Sequence, residues 1–292
     1  MPEARDGPST LQTFALTAVA MLAFAANSLL CRLALQQGGI DPASFGSIRL
    51  VSGAIALVLV VRFRAQPPVA RRADWLAAVM LFAYVAFFSF AYLSLPAGTG
   101  ALILFGAVQL TMLGAGLGAG ERFGPVAWFG LVVAAGGLVY LVLPGIAAPP
   151  LAGAVLMALA GVAWGVYSLR GRGVPDPLAA TARNFTRAVP LALALSLVFA
   201  ARAHADATGV VLAVASGALT SGLGYVVWYA ALARLSAMQA ATVQLSVPLL
   251  AAFGGVLLLS EAITPRLAVA SVAILGGIAL VLSRKSQRRP SA

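Results

Sequence analysis

Ten apolar runs of roughly twenty residues follow one another along this chain with short gaps, near 11–35, 44–62, 74–93, 99–118, 124–143, 150–170, 179–201, 208–233, 237–259 and 264–283. A run of that length, wound as a helix, matches the hydrocarbon thickness of a bilayer. Of the 292 residues 61% are hydrophobic and 9% charged, whereas a water-soluble domain carries roughly 25% charged residues. A soluble fold of this composition would expose apolar patches and aggregate, so the chain reads as an integral membrane protein. The runs are rich in Leu, Ala, Val and Gly without the alternation of a membrane barrel. Helices are then the structure that satisfies the backbone in lipid. The flank before the first run holds Arg5 against Glu3 and Asp6, and the run is long for a leader. It reads as a retained span rather than a cleaved signal.

The second constraint is a repeat. Glu121, Pro125, Gly136 and Gly137 recur as Glu261, Pro265, Gly276 and Gly277, each displaced by 140 positions (261−121, 265−125, 276−136, 277−137). Ala91/Ala231, Leu95/Leu235, Gly114/Gly254 and Leu117/Leu257 share that displacement, and Arg32/Arg170 and Asp41/Asp176 agree more loosely at 138 and 135. The Glu ends one span at the interface. The Pro suits the first turn of the next helix, where its missing N–H costs nothing. The paired glycines lie about halfway along that helix, where they let another backbone approach. Each copy holds five spans, and because five is odd the second copy enters the membrane upside down. The expected organisation is a first five-helix repeat at 11–145, an inverted second one at 150–283, and a basic tail at 284–292.

The net charge of +11 is a matter of topology. Loops and tails on the side of the N-terminus hold Arg5, Arg62, Arg64, Arg71, Arg72, Arg122, Arg170, Arg172, Arg234, Arg284, Lys285, Arg288 and Arg289, which is 13 positive residues, against Arg202 and Arg266 opposite. That asymmetry predicts cytoplasmic N- and C-termini in a multi-pass cell (inner) membrane protein. Anionic inner-leaflet lipid accounts for the excess charge, and no nucleic-acid partner is needed.

With ten spans in two inverted halves, cytoplasmic ends and the Glu-x3-Pro-x10-Gly-Gly array, the chain resembles the drug/metabolite transporter (DMT) superfamily, EamA type, over residues 11 to 283. Within it, the chain resembles the YddG branch of aromatic amino-acid exporters. The resemblance implies an all-α membrane protein with ten transmembrane helices around a central cavity. The first, third and fourth helices of each half would line it, and the last of each half would pack outside. Members often carry a Trp near the middle of the first helix of both halves. Here Trp164 stands in the second half and Ala26-Asn27 in the first, which implies an asymmetric cavity.

Catalytic chemistry finds no residues. The one histidine, His204, falls in a short loop, and the chain has no His/Cys cluster, P-loop or paired carboxylates within a helical turn. An enzyme, a metal site and a cofactor are not expected. The lone Cys31 reads as a packed thiol. All eight acids (Glu3, Asp6, Asp41, Asp74, Glu121, Asp176, Asp206, Glu261) map to tails, loops or helix ends. Pumps that exchange protons for cationic drugs use a buried acid, so a cationic substrate and carboxylate-borne proton coupling are both disfavoured.

The midplane is instead neutral, polar and aromatic. Asn27, Tyr84, Ser89, Tyr92, Gln109, Trp164, Tyr167, Tyr225, Trp228 and Gln244 are the substrate-binding candidates. Interhelical hydrogen bonds for the amides and packing for the rings are the competing reading. Arg49 and Arg187, rough counterparts under the repeat, are gate or carboxylate-anchor candidates, against simple snorkelling. Pro248, in mid-span, is a hinge candidate. The expectation is a secondary transporter exporting small neutral or zwitterionic metabolites by alternating access, with aromatic amino acids favoured by the resemblance. Its partners would be a small-molecule substrate and membrane lipid, and the sequence leaves the oligomer open. Export of other metabolites or drugs, and a non-transporting receptor or structural role, stand as alternatives.

Overall fold

A computed structural model describes residues 10–64, 73–120, 123–145, 147–171, 174–235 and 237–285. Glu121, the first-half acid of the repeated array, and the tail beyond 285 lie outside the described residues. The described chain is helical, with α1 (Thr10–Gln36), α2 (Pro42–Phe63), α3 (Trp75–Ala91), α4 (Ala97–Gly118), α5 (Pro125–Val142), α6 (Leu151–Gly171) and α7 (Pro177–Val198). There follow α8 (Ala207–Leu232), α9 in two pieces (Ala237–Gln244 and Ser246–Leu259) and α10 (Pro265–Lys285). Among the described residues there are no strands, only an antiparallel bridge between Ile40 and Ala205.

Eight of these helices are long and apolar enough to cross a membrane. Of the ten expected runs, the one that becomes α3 is apolar but has 17 residues. The one that becomes α7 has 22 residues, and they include Arg183 and Arg187.

Helix starts follow local chemistry. Asp41, Asp74, Asp176 and Asp206 cap α2, α3, α7 and α8 through their carboxylates, and α2, α5, α7 and α10 begin at proline. Four of the five described acids are therefore held at helix N-termini, where the macrodipole favours a negative charge.

Most of the packing joins the first five helices to the last five. α2 lies on α7 and α8, α3 on α6 and α7, α4 on α6 and α9, and α1 on α8 and α9. α5 and α10 pack on each other beside α4. The repeated glycine pairs explain how close that last contact is. A Cβ on Gly277 would stand 2.5 Å from the Gly130 carbonyl oxygen, and one on Gly137 2.7 Å from the Ala273 Cβ. Gly136 and Gly276 face open space. Of each pair, the second glycine makes the contact.

Two helices are irregular. In α8, Ala215–Leu223 forms a π-helical stretch, a geometry common at functional sites. It lies against α2 so closely that a Cβ on Gly217 would run into the Arg49 carbonyl and the Ser52 hydroxyl. α9 is interrupted at Leu245. Proline displaces the carbonyl four residues before it, and for Pro248 that residue is Gln244, where the first piece ends. The expected mid-span proline is the third residue of the second piece, where its missing N–H is tolerated.

Loop contacts define the two ends of the bundle. At one end the Asp41 N–H donates to the His204 carbonyl (3.0 Å), and the Asp41 carboxylate accepts from the backbone N–H groups of Ala43, Ser44 and His204. Burial pushes that carboxyl up, but the hydrogen bonds from Ser44, His204 and Ala43 outweigh it and hold its pKa below the ordinary value. A depressed folded-state pKa gives stability that is present above the unfolded value and lost as pH falls through the folded one. Asp41→Ala should therefore cost about 1–2 kcal/mol at neutral pH. The gap to the wild type should narrow below about pH 4. Melting of the purified protein at the two pH values checks both statements, and an equal gap at both would show that the carboxylate's charge contributes nothing.

Candidate functional site

Where α1, α3, α4, α6 and α8 meet, a cavity opens, lined by Phe24, Asn27 and Ser28, Tyr84 and Phe88, Leu104 and Phe105, Trp164, and Thr220, Ser221 and Tyr225. About 20 Å³ of it is open to the centre of a water molecule, which is room for one water. It is too small for a metabolite. α9 contributes none of these lining residues.

One wall is aromatic. The Trp164 ring lies 4.8 Å from Tyr84, 5.3 Å from Tyr167 and 5.5 Å from Tyr225, centroid to centroid. Phe24 packs edge-on against Tyr225 (5.9 Å) and Trp228 (5.7 Å). Another wall is polar and already bonded. The Asn27 Oδ1 accepts from the hydroxyls of Ser216 (2.7 Å) and Thr220 (3.3 Å), while its Nδ2 donates to the Tyr84 hydroxyl (3.3 Å). These contacts fix which way the amide points.

Of the candidates read from the sequence, Asn27, Tyr84, Trp164 and Tyr225 come together around this cavity. The others are elsewhere. The Ser89 hydroxyl donates to the Val85 carbonyl of its own helix (2.8 Å). Tyr92 ends α3, fully buried, and its hydroxyl donates to the Ala97 carbonyl (3.2 Å). Tyr167 donates to the Thr181 hydroxyl (3.4 Å). Trp228 is buried behind Phe24, Gln109 is buried within α4, and Gln244 is half-buried at the break in α9.

Arg49 and Arg187 are unlike each other. Arg187 is half-buried, whereas Arg49 is 1% exposed and stands directly behind the lining residues. Its Nη2 donates to the Tyr84 hydroxyl (3.0 Å) and its Nε to the Ser221 hydroxyl (3.2 Å), and its Cζ lies 5.1 and 4.9 Å from the ring centroids of Tyr84 and Phe88. Snorkelling does not describe it.

Sequence reasoning missed Ser216, Thr220 and Ser221. Their signal was a cluster of hydroxyls with Gly217 and Gly222 inside an apolar run. The π-helical turn is what presents Ser216 and Thr220 to Asn27, and Ser221 to Arg49.

Each end of the bundle carries ion pairs. At the His204 end, the Glu261 Oε1 accepts from the Arg32 Nε (3.2 Å), and its Oε2 accepts from the Ala97 N–H (2.8 Å). Glu261 thus caps α4, whose own cap residue, Pro96, makes no side-chain bond. The capping works because Ser260 turns left-handed (φ 54°) after α9 and brings Glu261 back over Gly255, where a Cβ would meet its Oε2 at 2.6 Å. The Arg32 Nη1 also donates to the carbonyls of Tyr92 (3.0 Å) and Leu93 (3.3 Å). Rather than resting in interfacial water, this acid joins α1, α4 and α9. At the other end Arg64 binds Asp176 with both terminal nitrogens, and the Arg170 Nε donates to Asp74 (2.9 Å). The Asp176 hydrogen bond raises the pKa of Arg64.

Residues 151–283 match the model of the EamA-like transporter family. The chain is 54% identical over 277 residues to the uncharacterized protein PA1977 of Pseudomonas aeruginosa, covering 95% of this chain and 96% of that one. A solved crystal structure of a protein 21% identical in sequence superposes with a TM-score of 0.66 over 96% of this chain and 100% of that one. The fold is shared with that structure.

Proposed function

From the premise that this chain belongs to the EamA-like transporter family, within the drug/metabolite transporter superfamily, we propose that it exports small neutral or zwitterionic metabolites, foremost aromatic amino acids, by alternating access. The family's members are membrane transporters of small molecules, and the multi-pass helical fold accords with that class. The observation that carries the narrower reading is the meeting of Trp164, Tyr84 and Tyr225 with Asn27, Thr220 and Ser221 around one cavity inside the bundle. Rings there would stack on a ring-bearing cargo, and hydroxyls and an amide would orient its polar end.

We read the chain as two inverted five-helix repeats, 11–145 and 150–283, with the seam at this cavity. The predominance of contacts between the first and last five helices supports that reading. So does the matching placement of Gly137 and Gly277 in the α5–α10 contact. The arginine asymmetry supports cytoplasmic termini in the inner membrane, with the Glu261 end facing outward. The closed cavity then corresponds to a state in which the bundle must open before cargo enters.

Counterflow of labelled phenylalanine into proteoliposomes tests this. Exchange should occur without a pH gradient, because the described acids all sit at helix ends. Trp164→Ala should slow it about tenfold, the equivalent of losing stacking on the order of 1.4 kcal/mol. Absence of exchange for every amino acid in a panel would overturn the substrate class. Accumulation that depends on an imposed proton gradient would overturn the facilitative mechanism.

A further inference from the structure

Among the described residues, Arg49 has no acid to balance it. The described carboxylates are all engaged at helix ends, Asp41, Asp74, Asp176 and Asp206 as caps and Glu261 with Arg32 and Ala97. The guanidinium meets neutral groups, the hydroxyls of Tyr84 and Ser221 and the faces of Tyr84 and Phe88. Its third nitrogen, Nη1, is buried and has no hydrogen-bond partner among the described residues. Arginine does not deprotonate in proteins, and a buried charge without a partner is strongly destabilising. The fold therefore holds an unbalanced positive charge immediately behind the cavity wall.

The hydroxyls in front of it are polarised the same way. The Tyr84 oxygen accepts from Arg49 Nη2 and from Asn27 Nδ2. Its own hydrogen is left to donate, and no described residue takes it. The Ser221 oxygen likewise accepts from Arg49 Nε, and its hydrogen has no described acceptor. Tyr84 and Ser221 both line the cavity. The wall thus offers two O–H donors backed by a fixed cation, which is the complement of an anion.

We propose that the wall formed by Arg49, Tyr84 and Ser221 is the docking point for a carboxylate on the transported molecule, and that recognition runs through that carboxylate and a ring, not through an amino group. The inference rests on the transport reading above and extends its substrate class from zwitterions to anions: ring-bearing carboxylic acids, with or without an α-amino group. Ring-bearing amines are excluded, since a second cation beside Arg49 would have no counter-charge.

The test uses the purified full-length protein and four probes that share a phenyl ring: 3-phenylpropionate, phenylalanine, 2-phenylethanol and 2-phenylethylamine. The two acids should bind within about tenfold of each other, and the amine at least about 100-fold more weakly. Arg49→Met should weaken both acids by about 10- to 100-fold, the loss expected for charge-assisted hydrogen bonds, and leave 2-phenylethanol unchanged. Its melting temperature should stay at or above the wild-type value, because an unpaired buried charge has been removed. Should Arg49→Met fold poorly, Tyr84→Phe with Ser221→Ala removes the donors, keeps the ring, and should lower acid affinity about tenfold. Amine binding as tight as acid binding, or unchanged acid affinity in these variants, would overturn the proposal. If none of the acids binds while other metabolites are exchanged in liposomes, the carboxylate inference falls and the transport reading stands. If no solute is exchanged, the transport reading falls.

Discussion

Gly277→Val is expected to destabilise the fold by about 3 kcal/mol, the upper end of what overpacking costs, while Gly276→Val costs little. Both changes bring the same shift in helix propensity and the same added volume, so the pair isolates the contact. At Gly277 the new Cβ would stand 2.5 Å from the Gly130 carbonyl oxygen and 2.7 Å from the Ala134 nitrogen. Those are backbone atoms, and no rotamer change relieves them. α5 and α10 would have to separate. Helices in lipid are held by close packing rather than by a hydrophobic gain, so the separation forfeits the dispersion contacts that join them. At Gly276 nothing lies within 4 Å. Thermal unfolding of the two variants in one detergent decides the matter: equal melting temperatures would mean that the second glycine of the repeated pair is not a packing residue.

This contrast also marks how far the sequence alone can be read. The Glu-x3-Pro-x10-Gly-Gly array located a close helix approach, but an array gives no rotation about the helix axis, so Gly276 and Gly277 were equivalent until the neighbours were known. The helical runs were legible because hydropathy and the backbone's need for partners in lipid act on every residue of a span. The cavity was legible in part. Asn27, Tyr84, Trp164 and Tyr225 could be named because an amide or ring in mid-span stands out. Gln109 and Gln244 stood out equally, yet they do not line it, since polarity does not say which way a side chain turns. Arg49 and Arg187 occupied similar places in the sequence. Their burial differs because the π-helical stretch of α8 lies directly on α2 at Arg49. That stretch packs on α2 through Gly217 and was not legible as a change of helical pitch. Pro248 did announce its break, because the steric effect of proline on the carbonyl four residues back is local.

Glu261→Ala is expected to raise the modification rate of Cys31 about 30- to 100-fold. Cys31 is the one cysteine in the chain, is fully buried, and precedes Arg32 in α1, so a maleimide reports on that end of the bundle without background. Glu261 joins α9 to α1 through Arg32 and to α4 through the Ala97 N–H. Its removal leaves a largely buried guanidinium (15% exposed) without its counter-ion and α4 without a cap. Breaking a fully buried pair costs about 3–5 kcal/mol. Here the partial exposure, and the carbonyls of Tyr92 and Leu93 that Arg32 keeps, bring the expected cost to about 2–2.7 kcal/mol. If opening of that end limits access to the thiol, this cost appears as a shift in the open population of about 30- to 100-fold. Glu261→Gln, which retains an acceptor for Ala97 but not the charge, should fall between the two. On the proposed alternating-access reading, the acceleration should come with altered exchange rates in proteoliposomes, because a state closed at this end would be weakened relative to the other. A Cys31 modification rate in Glu261→Ala equal to that of the wild type, with complete modification after unfolding, would mean that the ion pair does not hold this end of the bundle shut.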